Sequence, residues 1–166
     1  PDSSLLIFLS IMIQRIQTLY LLLVTGLSLI TFFNPVAGLQ NEQMATIYEL
    51  SYRGLMQLNS TGSILLANTW MLTALMAIIP FLALITIFLF KKRLLQIRLL
   101  FFNIVLMVGY YGLLFIYLWQ FGKSLEAKMF LELVSAFPLV NIILSFMAIR
   151  AIGKDEALVK SLNRIR

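Results

Sequence analysis

No cysteine and no histidine occurs anywhere in the chain. Without cysteine there is no disulfide framework, thiolate metal site or thiol nucleophile, so a segment outside the cytoplasm must hold its shape without a covalent staple. Without histidine, the commonest general base, zinc ligand and haem ligand are missing, and most hydrolytic and redox mechanisms lose their usual residue. Charge is scarce as well. Only 12% of residues are charged and 61% are hydrophobic, against roughly a quarter charged and half apolar in soluble domains. Together these shortages exclude a soluble domain and point away from an enzyme, a metal protein or a cofactor carrier.

What is present in quantity is long apolar sequence. A bilayer core about 30 Å thick needs roughly 20 apolar residues in a helix, which satisfies every backbone amide once water is gone. Four segments reach that length, at about residues 16–33, 70–90, 99–119 and 130–149. Asn34 and Pro35 stop the first, Lys91-Lys92-Arg93 the second, Gly122 and Lys123 the third, and Arg150 and Gly153 the fourth. The expected fold is therefore an all-α membrane protein, a single domain over residues 1–166 built as a four-transmembrane-helix bundle. An external segment covers about residues 34–69 and a cytoplasmic tail residues 150–166.

The net charge of +6 is not a nucleic-acid footprint, because the cations sit at the ends of apolar runs instead of along one polar face. They report orientation. Arg15, Lys91, Lys92, Arg93, Arg98, Arg150, Lys154, Lys160, Arg164 and Arg166 fall on one side, and Arg53, Lys123 and Lys128 on the other. The richer side is cytoplasmic by the positive-inside rule. Both termini are then inside, which is what an even number of spans requires. Trp70 and Trp119 fall at the outer ends of the second and third spans and Tyr20 near the inner end of the first, where amphipathic rings anchor.

Residues 1–13 are also apolar, so the first helix has room to begin near Leu5, with Arg15 snorkelling to the inner surface. The stretch beginning at Met12 reads as a natural start, which makes residues 1–11 an upstream extension; a cleaved signal peptide is not expected, since no basic region precedes Leu5.

The external segment is the longest stretch outside the spans. Tyr48, Leu50 and Tyr52 alternate with Glu49, Ser51 and Arg53, the period-two pattern of a half-buried strand. Runs at 55–58 and 63–67, separated by the turn-forming Asn59-Ser60-Thr61-Gly62, predict further strands of a small antiparallel sheet resting on the helix ends. Tyr48, Tyr52 and Arg53 are the candidate contact surface.

Within the spans, Glu132 is read as a first-turn acid of the fourth helix, favoured by the helix dipole. Asn103 and Asn141 are placed to hydrogen-bond across helices, with Gly109, Gly112, Ser135, Ala136 and Ser145 giving small faces. Pro80 and Pro138 are expected to kink the second and fourth helices. Tyr110, Tyr111 and Tyr117 are read as core packing, with quinone or lipid stacking as the alternative. In the tail, Ala157, Leu158, Leu162 and Ile165 share a helical face flanked by basic residues, the pattern of an interfacial helix restarting after Gly153. Lys91, Lys92, Arg93, Arg150, Lys154 and Lys160 are the candidate inner-leaflet contacts, for anionic lipids at the cytoplasmic face.

The opening Met12-Ile-Gln-Arg-Ile-Gln-Thr-Leu-Tyr-Leu-Leu-Leu and the closing Ala148-Ile-Arg-Ala-Ile-Gly-Lys-Asp-Glu-Ala-Leu-Val-Lys-Ser-Leu-Asn-Arg-Ile-Arg resemble those of domain of unknown function family 4293, four-span membrane proteins of Bacteroidetes. The resemblance runs from Met12 to Arg166 and implies the inner membrane of a Gram-negative bacterium. It brings no reaction, cofactor or catalytic residue. The plan of four spans with a stranded first outer loop is also similar to that of claudins, without their cysteine pair. The expected role is a non-enzymatic scaffold or accessory subunit of a larger membrane complex, with the lipid bilayer and membrane proteins as partners and no nucleic acid. A small transporter or a lipid- or quinone-binding protein is the alternative.

Overall fold

The computed structural model describes residues 3–164. Pro1, where the upstream extension begins, and Ile165 and Arg166 of the tail lie outside the described residues. The chain forms helix α1 (Ser3–Phe33), strands β1 (Ala37–Asn41), β2 (Thr46–Ser51), β3 (Gly54–Asn59) and β4 (Gly62–Ala67), helices α2 (Trp70–Phe88) and α3 (Arg93–Ser124), strand β5 (Lys128–Leu131), a 3-10 turn (Leu133–Ala136) and helix α4 (Phe137–Arg164). All four helices are long and apolar enough to cross a membrane.

Each helix buries one narrow stripe, and the four stripes share one spacing. The buried positions are Gln17, Leu21, Val24, Ser28 and Thr31 on α1, with Thr25 beside Val24, and Leu72, Met76, Ile79, Ala83 and Thr86 on α2, with Pro80 beside Ile79. On α3 they are Gln96, Leu100, Asn103, Met107, Tyr110, Leu114 and Leu118, and on α4 Pro138, Asn141, Ser145, Ala148, Ile152 and Asp155. Steps of three and four alternate almost throughout, the repeat of coiled-coil packing. The helices close a ring in which α1 and α3 each pack against α2 and α4.

The rest of each helix surface is apolar and exposed, including Leu22, Ile30, Phe81, Phe101, Phe102, Val108 and Phe115. In water such a surface would drive association, whereas in a bilayer it meets acyl chains of the same polarity. Hydrophobicity then offers little reason for helix to meet helix. Close packing and polar contacts in the seam do that work, and most polar residues of the spans lie inside it.

The sheet covers one end of the helices in the order β4-β3-β2-β1-β5, antiparallel throughout. Its inner face, with Val36, Leu39, Tyr48, Leu50 and Leu55, is continuous with Leu72, Met76, Met107, Tyr110, Leu114 and Leu118 of the helices. A second cluster of Leu21, Leu100, Ala148 and Ile152 fills the helices farther from the sheet. Gly54 turns the β2–β3 hairpin at φ +115°, a conformation that L side chains rarely adopt.

Several expectations need correction. The run 130–149 is not one helix: residues 128–131 form β5, paired with β1 through Gly38 and Phe130 among others. A short apolar run does not by itself distinguish strand from helix, and here the open edge of β1 decides. Glu132 accordingly lies before α4 in an extended conformation, its amide bonded to the Val36 carbonyl at 3.1 Å. Pro138 stands at the start of α4 and does not kink it, since its missing N–H belongs to a turn whose amides lack helical acceptors anyway. Pro80, unlike Pro138, lies inside its helix, α2.

At the opposite end, α3 begins at Arg93, well before the expected 99, because arginine, leucine and glutamine favour helix even where the apolar run has ended. Gly153 does not stop α4, which continues to Arg164 without an interfacial restart. Its helical cost, about 1 kcal/mol against alanine, is offset by the burial of the neighbouring Ile152.

Candidate functional site

Of the three residues expected at the outer contact surface, the structure separates one from the others. Tyr48 is only 6% exposed and points under the sheet into the core, because it follows the inward phase of β2 together with Leu50. It offers no contact surface. Tyr52 sits in the hairpin turn, its ring stacked on Phe32 at 5.1 Å. Arg53 donates from Nε to the Tyr52 hydroxyl at 3.0 Å and lies over its ring at 5.5 Å. Thr73 Oγ1 donates to the Tyr52 carbonyl at 2.8 Å, tying the turn to α2.

A surface that the sequence pattern did not single out lies at the sheet edge. β4 is an outermost strand, so one side of its backbone has no strand partner. Ile64, Leu65 and Leu66 on it are 54%, 53% and 45% exposed, and the strand carries no charge. Natural edge strands usually carry charges, proline or bulges that discourage pairing; β4 has no charge and no proline, and its pairing with β3 shifts register between Leu55 and Met56. The only available signal was the apolar run itself, which read as an ordinary strand. The other edge, β5, is tied to the loop after β1 by Lys128 and Glu42 at 2.8 Å, a bond that holds the lysine above its ordinary pKa.

The six candidate inner-leaflet cations fall into two groups. Arg150 and Lys154 line a groove between α1 and α4 together with Ile16 and Tyr20. Lys91, Lys92, Arg93 and Lys160, joined by Arg98, line a larger cleft between the α2–α3 turn and the end of α4, with a volume of about 770 Å³. Arg93 is committed to Asp155 at 2.9 Å and Lys160 to Glu156 at 3.2 Å. Among the described residues, Lys91, Lys92 and Arg98 have no carboxylate within ion-pair distance.

Between the helices the seam is polar but nearly closed. Asn141 Nδ2 donates to Ser28 Oγ at 2.9 Å, and Gln17 Nε2 donates to the Ala151 carbonyl at 3.2 Å. Gln96 Nε2 donates to the Thr86 carbonyl at 3.0 Å. Both side-chain atoms of Asn103, the Tyr110 hydroxyl and Ser145 Oγ are buried without a hydrogen-bond partner. A cavity beside Ser28, Thr31, Tyr110 and Asn141 measures about 10 Å³, room for about one water. The Tyr111 hydroxyl donates to the Ser135 carbonyl at 2.7 Å and accepts from the Leu139 amide at 2.9 Å, so its polar end is engaged in starting α4.

A family model described as Domain of unknown function (DUF4293) matches residues 13–165. The chain belongs to the DUF4293 family. The matched stretch contains all five strands, α2, α3 and α4, while residues 3–12 of α1 precede it. The DUF4293 assignment thus covers the sheet, the polar seam and the basic cleft together. No curated protein matches the chain.

Proposed function

We propose that this chain is a non-enzymatic four-span protein of the bacterial cytoplasmic membrane, with both termini inside, serving as a scaffold or accessory subunit of a larger membrane complex. The observation that carries this reading is the contrast between a closed interior and an open edge. The cavity at Tyr110 and Asn141 has room for about one water, whereas β4 presents an uncharged apolar edge to the outside. A carrier needs a path between its helices; a subunit needs a surface. Strand addition to an exposed sheet edge is a recurring way to recruit a partner. The inside orientation is supported by the placement of Arg15, Lys91, Lys92, Arg93, Arg98, Arg150, Lys154, Lys160 and Arg164 at the end away from the sheet.

The test is to tag the tail, solubilise native membranes in a mild detergent and measure which proteins co-purify at fixed stoichiometry. A reproducible partner lost on Leu65→Lys supports the subunit reading. Recovery of the chain alone sinks it and leaves the second reading, a lipid-binding membrane protein, which the basic cleft favours.

A further inference from the structure

The cleft at the end away from the sheet combines two chemistries in one place. Phe90, Leu94, Leu95 and Val159 give it apolar walls, while Lys91, Lys92 and Arg98 bring three cations without opposing carboxylates among the described residues. Among the described residues, the one carboxylate on its wall, Glu156, is matched by Lys160. Arg93 lines it and pairs with the buried Asp155, holding the last turns of α4 against the start of α3, so the cleft is a product of the fold and not of a loose tail. At about 770 Å³ it falls in the size range of small-molecule sites.

We infer that this cleft binds the phosphodiester headgroup of an anionic phospholipid in the leaflet at that face. The phosphate meets Lys91, Lys92 and Arg98, and the acyl chains leave along Phe90, Leu94 and Leu95, whose side chains are exposed beside the apolar faces of α2 and α3. A choline headgroup would carry its own cation into a field of three unmatched cations, so zwitterionic lipid is disfavoured. A free phosphate compound would gain nothing from the apolar walls, which is why a lipid is the better occupant. Basic pockets between spans are a known mode of headgroup recognition. This inference rests on the membrane-spanning reading and develops its inner-leaflet lipid contact into one defined site.

The experiment is native mass spectrometry of the full chain in mild detergent, titrated with phosphatidylglycerol or with phosphatidylcholine of the same acyl chains. One phosphatidylglycerol is expected to be retained about tenfold better than phosphatidylcholine, in proportion to a difference of about 1.4 kcal/mol. Lys91→Gln with Lys92→Gln and Arg98→Gln should remove that preference, and Lys91→Gln alone should reduce it. Arg150→Gln with Lys154→Gln should leave it intact. Equal retention of both lipids by the unaltered chain overturns the proposal, as does an equal loss in the Arg150 and Lys154 variant, which would mean diffuse attraction. Inorganic phosphate at millimolar concentration should not displace the lipid; full displacement would assign the cleft to a soluble phosphate compound instead. Because the readout needs neither a partner protein nor a sealed membrane, failure of the scaffold reading leaves the lipid result standing.

Discussion

Arg93, at the first turn of α3, and Asp155, near the end of α4, form an ion pair at 2.9 Å across 62 positions of sequence, with the Asp155 side chain 2% exposed. Asp155 Oδ2 receives no well-aligned hydrogen bond, so the contact is Coulombic before it is directional. The pair fixes the end of α4 beside the α2–α3 turn and thereby shapes the basic cleft.

Removing the cation alone strands a buried carboxylate, a loss of about 3 kcal/mol or more for interior pairs. Arg93→Gln is expected to lower the melting temperature in detergent and to open Lys154 and Lys160 to trypsin. The double variant with Asp155→Asn should recover much of the loss. Equal melting of the single and double variants would mean that the pair holds nothing.

Asn103 and Asn141 occupy equivalent seam positions with opposite consequences. Asn103 has neither polar atom bonded, while Asn141 donates from Nδ2 to Ser28 and leaves only its Oδ1 without a partner. Asn103→Leu is therefore expected to stabilise the chain by about 1 kcal/mol through the removal of unmatched polar atoms. Asn141→Leu should cost about 0.6 kcal/mol, a typical value for an interhelical bond in a membrane. Thermal unfolding of both variants in one detergent checks the sign of each.

Gly38 faces Phe130 across the β1–β5 pair, and a Cβ at that glycine would overlap the aromatic ring. Gly38→Ala should detach β5, with a loss of about 1–3 kcal/mol as for other overpacked sites. In a Phe130→Ala background the same substitution should be nearly neutral. A double-mutant cycle in unfolding free energy measures the coupling, and a value near zero would show that the ring is free to move aside.

Tyr111 bridges the Ser135 carbonyl and the Leu139 amide where α4 begins. Tyr111→Phe keeps the ring and removes both bonds, so the expected loss is about 1–2 kcal/mol. Tyr117→Phe serves as the control, since its recorded contact is a ring stack on Phe121 that survives loss of the hydroxyl. Unfolding should separate the two variants; equal stability would remove Tyr111 from the start of α4.

Part of the basic cleft and of the sheet is legible in the sequence. Lys91, Lys92 and Lys160 were marked by charge alone and do meet in one cleft, but Arg98 joined them only when α3 extended back to Arg93. Tyr48, Leu50 and Tyr52 alternate as a strand should, yet alternation does not say which face is buried. The inward face is that of Tyr48 because β2 lies between β1 and β3, over the helix ends.

The four apolar helices and the split of cations between their ends were determined by the sequence by itself, because helix length and end charge are local properties of the chain. Tertiary structure alone decided that β5 completes the sheet, that the polar seam faces inward, that Asp155 meets Arg93 and that β4 is left as an edge. Each of these depends on which distant segment supplies the partner for a backbone or a charge. In a chain whose outer helix surface is apolar and whose seam mixes apolar with polar side chains, hydrophobic pattern does not choose that partner, and packing does.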